Sequence, residues 1–440
     1  MRGLRAGGRR IALTLADQVV SSASNFATGV VIARLAGARA FGQYVLTAMI
    51  WLVVVGIHRA LITEPVIVTS RSTTDRGRLV AQGVTSELML GGVVTVTVAL
   101  AAVLALMAGA PIGRLMLALA PWFIPMLVQD YWRAMAFLER RPGLALTNDA
   151  VFAIVQIAFV GLFIVIGWRS ASSMIVAWGI GSTAGALFGL WWSPSMASPA
   201  EALRLVRGLW PMSRWLLADF LSGFAADQAY LVFLALLLTG EDYGGFRAAA
   251  SLMGPTVVIL LAGGNIGLPE ASARANTRNP RTLRLFARRL TAGTAGCVML
   301  YGAVVAVGGG QLLSSLYGPR FARFAPLATF AAVEYIILVS VFGQGIALKA
   351  AGRMRLVWMA RVAVAVASLL SMLLLVRRLG LIGAGWSAVA TGVYYAIAVY
   401  ALYRFELTGT RSAGRGLAEL YPNGGDPPEA PDSMPTAAGG

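Results

Sequence analysis

Apolar residues occur along this chain in blocks of membrane-spanning length, and short polar segments separate the blocks. A helix needs about 20 mainly apolar residues to cross the hydrocarbon core of a bilayer. Twelve blocks approach or exceed that length, and the one longer connection covers residues 193–209. The predicted spans are 11–34, 41–69, 83–107, 111–138, 143–167, 172–192, 210–238, 245–273, 290–308, 325–348, 356–376 and 379–403. The pattern predicts an all-α polytopic membrane protein with about twelve transmembrane helices.

The composition agrees with a membrane protein, because hydrophobic residues make up 58% of the chain and charged residues 12%. A soluble domain carries about 25% charged residues. The net charge of +17 comes from basic residues between the apolar blocks, so the predicted partner is the lipid bilayer and no nucleic acid. Cys297 and His58 are each the only residue of their type, so no intramolecular disulfide and no zinc site are predicted.

Basic residues in the connections set the predicted orientation. Connections on the side of the termini hold 24 arginine and lysine residues, and those on the opposite side hold nine. The nine are Arg34, Arg39, Arg114, Arg169, Arg247, Arg320, Arg323, Arg377 and Arg378. Because cytoplasmic loops carry the excess of basic residues, both termini are predicted to be cytoplasmic. Residues 405–440, rich in proline, glycine and acidic residues, are predicted to form a disordered cytoplasmic tail.

The first predicted span contains polar residues that a helix surrounded by lipid would not carry. Asp17, Ser21 and Asn25 follow each other at intervals of four residues and therefore lie on one helix face. A carboxylate at bilayer depth costs about 3 kcal/mol or more unless it contacts water or a partner. This face is therefore predicted to line a water-filled cleft.

An internal repeat extends this interpretation to the second half of the chain. Three features coincide at a shift of 202 residues: Asp17 with Asp219, Asn25 with Asp227, and Phe41–Tyr44 (FGQY) with Tyr243–Phe246 (YGGF). Each repeat contains six predicted spans, an even number, so both repeats enter the membrane in the same orientation. The repeat therefore predicts two parallel six-helix lobes around a central cleft that holds the substrate.

The predicted domains follow from the repeat. They are a first lobe at 1–192, an inter-lobe cytoplasmic linker at 193–209, a second lobe at 210–404 and the tail at 405–440. An alternative stays open, in which each aspartate forms hydrogen bonds within its own lobe and contacts no substrate.

Three segments in this order resemble a known family. They are ARLAGARAFGQY at Ala33–Tyr44, LYGPRF at Leu316–Phe321 and GLIGAGWSAVAT at Gly380–Thr391. Together with twelve spans they are similar to the multidrug/oligosaccharidyl-lipid/polysaccharide (MOP) exporter superfamily, and specifically to its polysaccharide-biosynthesis branch, the O-antigen flippases. The resemblance covers nearly the whole chain up to the tail.

The resemblance implies a MATE-like fold and a transporter that is not an enzyme. It implies a flippase that moves polyprenyl-diphosphate-linked oligosaccharide from the inner to the outer leaflet by alternating access, for cell-surface polysaccharide export. The expected location is the bacterial cytoplasmic membrane, and the expected partners are the lipid-linked glycan and neighbouring glycan polymerases and glycosyltransferases. No cofactor is expected, and proton, sodium ion and membrane potential all stay open as the driving force.

A flippase of this kind needs cations for the diphosphate, preferably arginine with its forked donors. Arg59 and Arg133 are predicted to contact the diphosphate, with Asp17 or Glu64 holding them between transport cycles. Under the alternative, Asp130 and Arg133 pair on one helix face, Glu64 closes a structural gate, His58 serves packing, and Glu87 and Asp149 reach water near the interface. The full predicted cavity set is Asp17, Ser21, Asn25, Arg59, Glu64, Arg133, Asn148, Asp219, Asp227, Gln228 and Arg361.

Two other functions are weighed against the flippase. A MATE-like cation-coupled antiporter for drugs or small molecules would use the same polar faces with acidic residues dominating. Arg59 and Arg361 within the spans argue against a cationic cargo. A membrane glycosyltransferase or polymerase would place its catalytic groups on a large loop. The sequence contains no such loop and no catalytic or metal-ligand motif, which argues against an enzyme.

Overall fold

The computed structural model describes residues 2–70, 75–139, 141–193, 196–275 and 280–408. The side chains of these residues are described except at 2–25, 226–227, 265–266, 280 and 407–408. Asp17, Ser21, Asn25 and Asp227 therefore lie outside the described side chains, and the predictions made for them stay predictions. The same holds for most of the tail.

The described part of the chain is helical throughout and contains no strand. Its elements are α1 Arg2–His58, a π-helical turn Arg59–Thr63, α2 Glu64–Thr69, α3 Arg76–Met107, α4 Ile112–Leu119, a 3₁₀ turn Ala120–Trp122, α5 Phe123–Leu138, α6 Pro142–Val165, α7 Ala171–Trp192, α8 Pro199–Leu237, α9 Gly240–Ser251, α10 Gly254–Ala275, α11 Pro280–Tyr317, a 3₁₀ turn Pro319–Phe324, α12 Ala325–Val339, α13 Phe342–Ala350, α14 Met354–Tyr403 and a π-helical turn Arg404–Thr408. We call α1–α7 the first lobe and α8–α14 the second lobe.

Nine described helical segments are long and apolar enough to cross a membrane, and Pro199–Ala225 with Gln228–Leu237, bent by 45°, gives a tenth. Two of the ten, Phe26–Thr69 and Met354–Glu406, are about 66 and 80 Å long at 1.5 Å per residue, more than twice the hydrocarbon thickness. Glycines with positive φ, Gly37 and Gly380, divide each of these two into two helices. The predicted all-helical polytopic fold is thereby confirmed with nine or ten apolar segments of spanning length among the described residues, and the count of twelve stays the prediction from the sequence.

Helix α8 begins eleven residues before the predicted span, at Pro199 rather than at residue 210. The Ser198 hydroxyl caps the backbone N–H of Glu201, and the Glu201 carboxylate accepts a hydrogen bond from the backbone N–H of Ser198 at 3.0 Å. This capping box and the proline at the first helical position are strong helix-start signals in the sequence. The helix therefore runs through part of the predicted linker without a break.

The 202-residue repeat appears as a reciprocal contact between α1 and α9. A Cβ atom on Gly42 would lie 2.7 Å from the carbonyl oxygen of Gly240, and a Cβ atom on Gly244 would collide with the carbonyl oxygen of Ala38. Gly244 is the equivalent of Gly42 after the shift, and Gly240 is the equivalent of Ala38. The contact of Gly42 with Gly240 is therefore the equivalent of the contact of Gly244 with Ala38. A two-fold axis between the lobes produces such reciprocity, and α5 and α12 also begin 202 residues apart.

The lobes share one buried cluster around the contact of Gly42 with Gly244, which we call the closed end. The Nε atom of Arg34 donates to the carbonyl oxygen of Leu316 at 2.6 Å, and the rings of Phe41 and Tyr317 lie 5.6 Å apart. The buried residues of this cluster come from both lobes. The lobes are therefore packed against each other at this end.

At the opposite end, which we call the open end, each lobe has a core of its own. One buried cluster includes Ile62, Val84 and Trp132, and another includes Leu283 and Ile346. The first of these clusters also contains Leu209 of α8, whereas the second contains no first-lobe residue among the described residues. Helix α8 thus packs on the first lobe at this end, and the described core of the other second-lobe helices is separate, at the end where the sequence predicts the cytoplasm.

Candidate functional site

An ion network occupies the open-end half of the first lobe. The guanidinium of Arg59 donates to both carboxylate oxygens of Asp130, from Nε at 2.8 Å and from Nη2 at 2.5 Å. The Asp130 side chain is 8% exposed, whereas that of Arg59 is 43% exposed. A buried carboxylate therefore holds one side of a guanidinium whose other side is accessible.

The only histidine of the chain lies between two carboxylates. Nδ1 of His58 is 3.0 Å from Oε1 of Glu87, and Nε2 is 3.0 Å from Oδ2 of Asp130. The hydroxyl of Thr63 donates to the same Glu87 oxygen at 3.2 Å. His58 and Glu87 are both fully buried, and Oε2 of Glu87 has no hydrogen-bond partner.

The backbone at this network is irregular for a reason visible in the sequence. Pro65 has no N–H to donate to the carbonyl oxygen of Leu61 four residues earlier, and the wide turn Arg59–Thr63 lies directly before it. The buried hydroxyl of Ser213 in α8 donates to the Leu61 oxygen at 2.9 Å instead. Neighbouring helices commonly satisfy backbone groups freed by a proline in this way.

A second polar network joins α5, α6 and α7. The amide of Gln129 donates to Oδ1 of Asn148 at 2.8 Å and to Oδ1 of Asp149 at 3.0 Å. Nδ2 of Asn148 donates to the carbonyl oxygen of Gly185, and Nε of Arg133 lies 3.2 Å from Oδ2 of Asp149. The Asn148 side chain is thus engaged between helices of its own lobe.

These contacts revise several expectations from the sequence. Arg59 pairs with Asp130 rather than with Glu64, which is exposed. Asp130 binds Arg59 and His58, not the predicted partner Arg133. The expectation that Glu87 and Asp149 reach water was wrong, because both are almost completely buried as partners of His58 and Arg133. In each case the pairing joins different helices, whereas sequence spacing shows neighbours within one helix.

The other predicted cavity residues lie in the second lobe or in the undescribed face of α1. Asp219 in α8 and Arg361 in α14 are exposed, and Gln228 is partly buried. Thr28 continues the polar face of Asp17, Ser21 and Asn25, and it accepts a hydrogen bond from Gln156 in α6 at 2.7 Å. The one described member of that face is therefore bonded within the first lobe.

Arg247 is a candidate that the sequence prediction missed, because it was counted as a loop residue. It lies in α9, about 10 Å along the helix from Gly240 at 1.5 Å per residue. Its Nε atom is buried without a hydrogen-bond partner, and Tyr243, Tyr317 and Tyr335 lie within electrostatic range. The predicted span 245–273 contains Arg247, and this position was the signal in the sequence that could have placed it among the cavity candidates.

No group of three or more histidine, cysteine or acidic side chains among the described residues could hold a metal ion. The buried carboxylates of the first lobe, Glu87, Asp130 and Asp149, are instead paired with His58 and with arginine.

Solved structures with this fold are transporters. An inward-facing multidrug resistance MATE family transporter of the MOP superfamily has a TM-score of 0.67 and 14% identity, covering 90% of this chain and 98% of its own. The lipid II flippase MurJ in an inward closed conformation has a TM-score of 0.66 and 10% identity, covering 93% and 92%. A MOP superfamily transporter from Pyrococcus furiosus, described by the reverse polarity of its binding pocket, has a TM-score of 0.59 and 13% identity, covering 92% and 95%.

The sequence matches no family model and no curated protein. The chain therefore has the fold of MOP superfamily transporters, as its motifs suggested, and the O-antigen branch stays a prediction. Both drug transporters and a lipid-linked flippase share this fold, so the cargo has to be argued from the site.

Proposed function

We propose that this protein moves polyprenyl-diphosphate-linked oligosaccharide from the inner to the outer leaflet of the bacterial cytoplasmic membrane by alternating access. The observation that carries the proposal is the guanidinium of Arg59, whose Nε and Nη2 edge is bound by the carboxylate of Asp130 and which is still 43% exposed. A carboxylate and a phosphate make the same forked contact with arginine. Asp130 thus positions Arg59 in the unliganded protein, and a diphosphate that makes the same forked contact can replace Asp130 as the partner of the guanidinium.

The depth of Arg59 supports a lipid-linked anion. Arg59 follows Gly37 by 22 residues, which is about 33 Å of helix at 1.5 Å per residue. The hydrocarbon core is about 30 Å thick. With Gly37 at one boundary, the guanidinium therefore lies near the other, at the level of the phosphates of that leaflet. There it can bind a diphosphate while the polyprenyl tail stays in lipid.

The arrangement of the lobes supports alternating access. The lobes share one core at the end that carries Gly42 and Gly244, whereas at the end that carries Arg59 helices α10–α14 have a core separate from that of the first lobe. This difference supports a space between the lobes that opens at the Arg59 end. If the predicted orientation is correct, a head group enters from the cytoplasm and contacts Arg59 first. Arg247 lies closer to the closed end, and it is a second cation for the same head group.

A reconstituted assay tests the proposal. Proteoliposomes with a fluorescent polyprenyl-diphosphate oligosaccharide report the fraction of glycan that a membrane-impermeant quencher reaches over time. We expect wild-type protein to transfer the lipid. Arg59→Ala should reduce the rate at least tenfold, and Arg59→Lys should restore it only in part, because lysine lacks the forked geometry.

Arg78→Ala is the matched control, since Arg78 is an exposed arginine paired with Glu201 near the open end. It should leave the rate within about twofold, because exposed ion pairs contribute about 0–1 kcal/mol. Equal rates in Arg59→Ala and wild type, at equal protein levels, would contradict the proposal.

The competing function is cation-coupled antiport of drugs or small molecules. Asp219, an exposed carboxylate within α8, favours it, as does the similarity in fold to a multidrug transporter. Efflux of a cationic dye from the same vesicles, abolished by Asp219→Asn and unaffected by Arg59→Ala, would support this function over the flippase.

A further inference from the structure

We propose that Glu87, His58 and Asp130 form a proton-binding site, and that binding of an anionic diphosphate at Arg59 adds one proton to it. The second part rests on the proposed function, because it needs an anion at Arg59. The first part concerns the unliganded protein. The site follows from counting hydrogen-bond donors and charges in the contacts described above.

The donors come first. Both ring nitrogens of His58 lie 3.0 Å from a carboxylate oxygen, and a neutral imidazole has a hydrogen on one nitrogen only. Oε1 of Glu87 also accepts a hydrogen bond from Thr63, as an ionised oxygen does. The second hydrogen therefore belongs on the ring, and His58 is a doubly protonated imidazolium that donates to Glu87 and Asp130.

The charges balance in this state. Two positive groups, His58 and Arg59, face two carboxylates, Glu87 and Asp130, so the buried network is neutral. When an anion draws the guanidinium of Arg59 away from Asp130, the three remaining groups carry a net charge of −1. An uncompensated charge in a buried position costs several kcal/mol.

One added proton restores neutrality without breaking a contact. It comes from water and binds to Oε2 of Glu87, which is buried and has no hydrogen-bond partner. Oε1 continues to accept from Nδ1 of His58, and Nε2 continues to donate to Asp130. Anion binding and proton uptake are thereby coupled, so that each strengthens the other.

Other polar and titratable groups also lie near the site, on the helices that pack against it. Glu64 in α2 is exposed and lies within electrostatic range of Arg59. The hydroxyl of Tyr131 in α5 donates to the carbonyl oxygen of Val80 at 3.1 Å, and Ser213 of α8 is bonded to the Leu61 oxygen. The Arg133 and Asp149 pair lies one helical turn further along α5.

The first experiment uses the fact that His58 is the only histidine. Full-length protein labelled with ¹⁵N-histidine, purified through an affinity tag without histidine, gives one imidazole signal set in a long-range ¹H–¹⁵N spectrum. We expect both ring nitrogens of the wild type to be protonated at pH 7. In Glu87→Gln one carboxylate is lost, and the ring should keep a single proton on Nε2. A ring with one proton in the wild type would overturn the site.

The second experiment measures the coupling. Farnesyl diphosphate is titrated into the protein in two buffers of different ionisation enthalpy, and the difference in heat gives the number of protons taken up. We expect wild-type protein to take up about one proton more than Glu87→Gln. Its affinity should fall about tenfold per pH unit where uptake is complete. Glu139→Gln is the control, an exposed carboxylate at the end of α5 that pairs with Arg141, and should behave as wild type.

The two experiments separate the proposals. Equal proton numbers in wild type and Glu87→Gln, with farnesyl diphosphate bound to both, would overturn the coupling and leave the anion site intact. Absence of any binding to wild type would contradict the proposed function and the coupling together. The protonation of the His58 ring would still decide whether the proton site exists.

Discussion

In the first lobe, α5 carries Asp130 on a buried face, whereas α12, which begins 202 residues later, carries the buried Ala332 at the corresponding position. The same shift takes His58 and Arg59 to Leu260 and Leu261. At these three positions the two lobes thus repeat their helices but not their charges.

Two ion pairs of the second lobe lie in a more exposed environment: Glu270 and Arg274 are 55% and 36% exposed, and Glu241 and Arg323 are 54% and 56% exposed. A third, Arg353 with Glu406, is less exposed and joins the two ends of α14. In the first lobe Glu87, Asp130 and Asp149 are buried. The comparison teaches that the packing between the lobes uses equivalent residues of both lobes, whereas the charged site is built from residues of the first lobe alone. We therefore expect substitutions of charged residues to have unequal effects in the two lobes, and substitutions at the backbone contacts between the lobes to have similar effects.

The largest expected effect is the loss of the central carboxylate of the first lobe. Asp130→Ala leaves Arg59 and His58 without their shared partner in a buried position. Breaking a buried ion pair from one side costs about 3–5 kcal/mol. We expect the free energy of unfolding to fall by about that amount in mixed micelles titrated with sodium dodecyl sulfate.

The matched control in the second lobe is Glu241→Ala, which breaks the exposed pair with Arg323. Exposed pairs contribute about 0–1 kcal/mol, so its stability should stay within that range. If Asp130→Ala and Glu241→Ala lowered the free energy of unfolding equally, the buried ion pair of the first lobe would contribute no more to stability than the exposed pair of the second lobe.

The sequence predicted the repeated part of the molecule well and the unrepeated part less well. Twelve apolar blocks predicted the apolar segments, and the FGQY and YGGF motifs predicted the repeat of the two lobes, because span length and short motifs are local properties of the sequence. The start of α8 was predicted too late, although Ser198, Pro199 and Glu201 form a recognisable capping box.

The sequence identified residues of the site but did not predict which of them pair with each other. Arg59 was identified by its depth in an apolar block. Its partner, Asp130, is 71 positions away, and His58 lies between carboxylates of two other helices. Spacing within one helix favoured Glu64 and the pair of Asp130 with Arg133. Contacts between helices depend on rotation and tilt, which the apolar pattern does not determine.

The next prediction concerns the backbone, which the lobes share. A Cβ atom added to Gly42 or Gly244 meets backbone of the other helix, so neither contact can relax by a side-chain movement. Overpacking costs about 1–3 kcal/mol, and about 1.4 kcal/mol corresponds to a tenfold change in an equilibrium. We therefore expect Gly42→Ala and Gly244→Ala to increase the population in which the lobes separate at the closed end at least about fivefold over wild type.

Pulsed electron resonance between spin labels at Ala36→Cys and Arg320→Cys, in a Cys297→Ser background, measures this population. Both label positions are exposed near the closed end. Gly92→Ala is the control, since a Cβ atom there meets no other atom within 4 Å. The two-fold relation predicts that the two glycine variants increase this population by similar amounts. An increase in one variant alone would show that the two contacts are equivalent in geometry but not in energy.

The smallest expected effect tests the contact between α8 and the irregular turn of the first lobe. Ser213→Ala removes the donor to the Leu61 oxygen, and an unsatisfied buried acceptor costs about 1–3 kcal/mol. In a Pro65→Ala background the residue at 65 regains an N–H that can bond Leu61, so the same serine substitution should cost less. We expect a coupling free energy of about 1 kcal/mol between the two sites in a double-mutant cycle of unfolding. Additive effects would instead mean that water or another group satisfies the Leu61 oxygen, and that Ser213 is not required for the π-helical turn that presents Arg59.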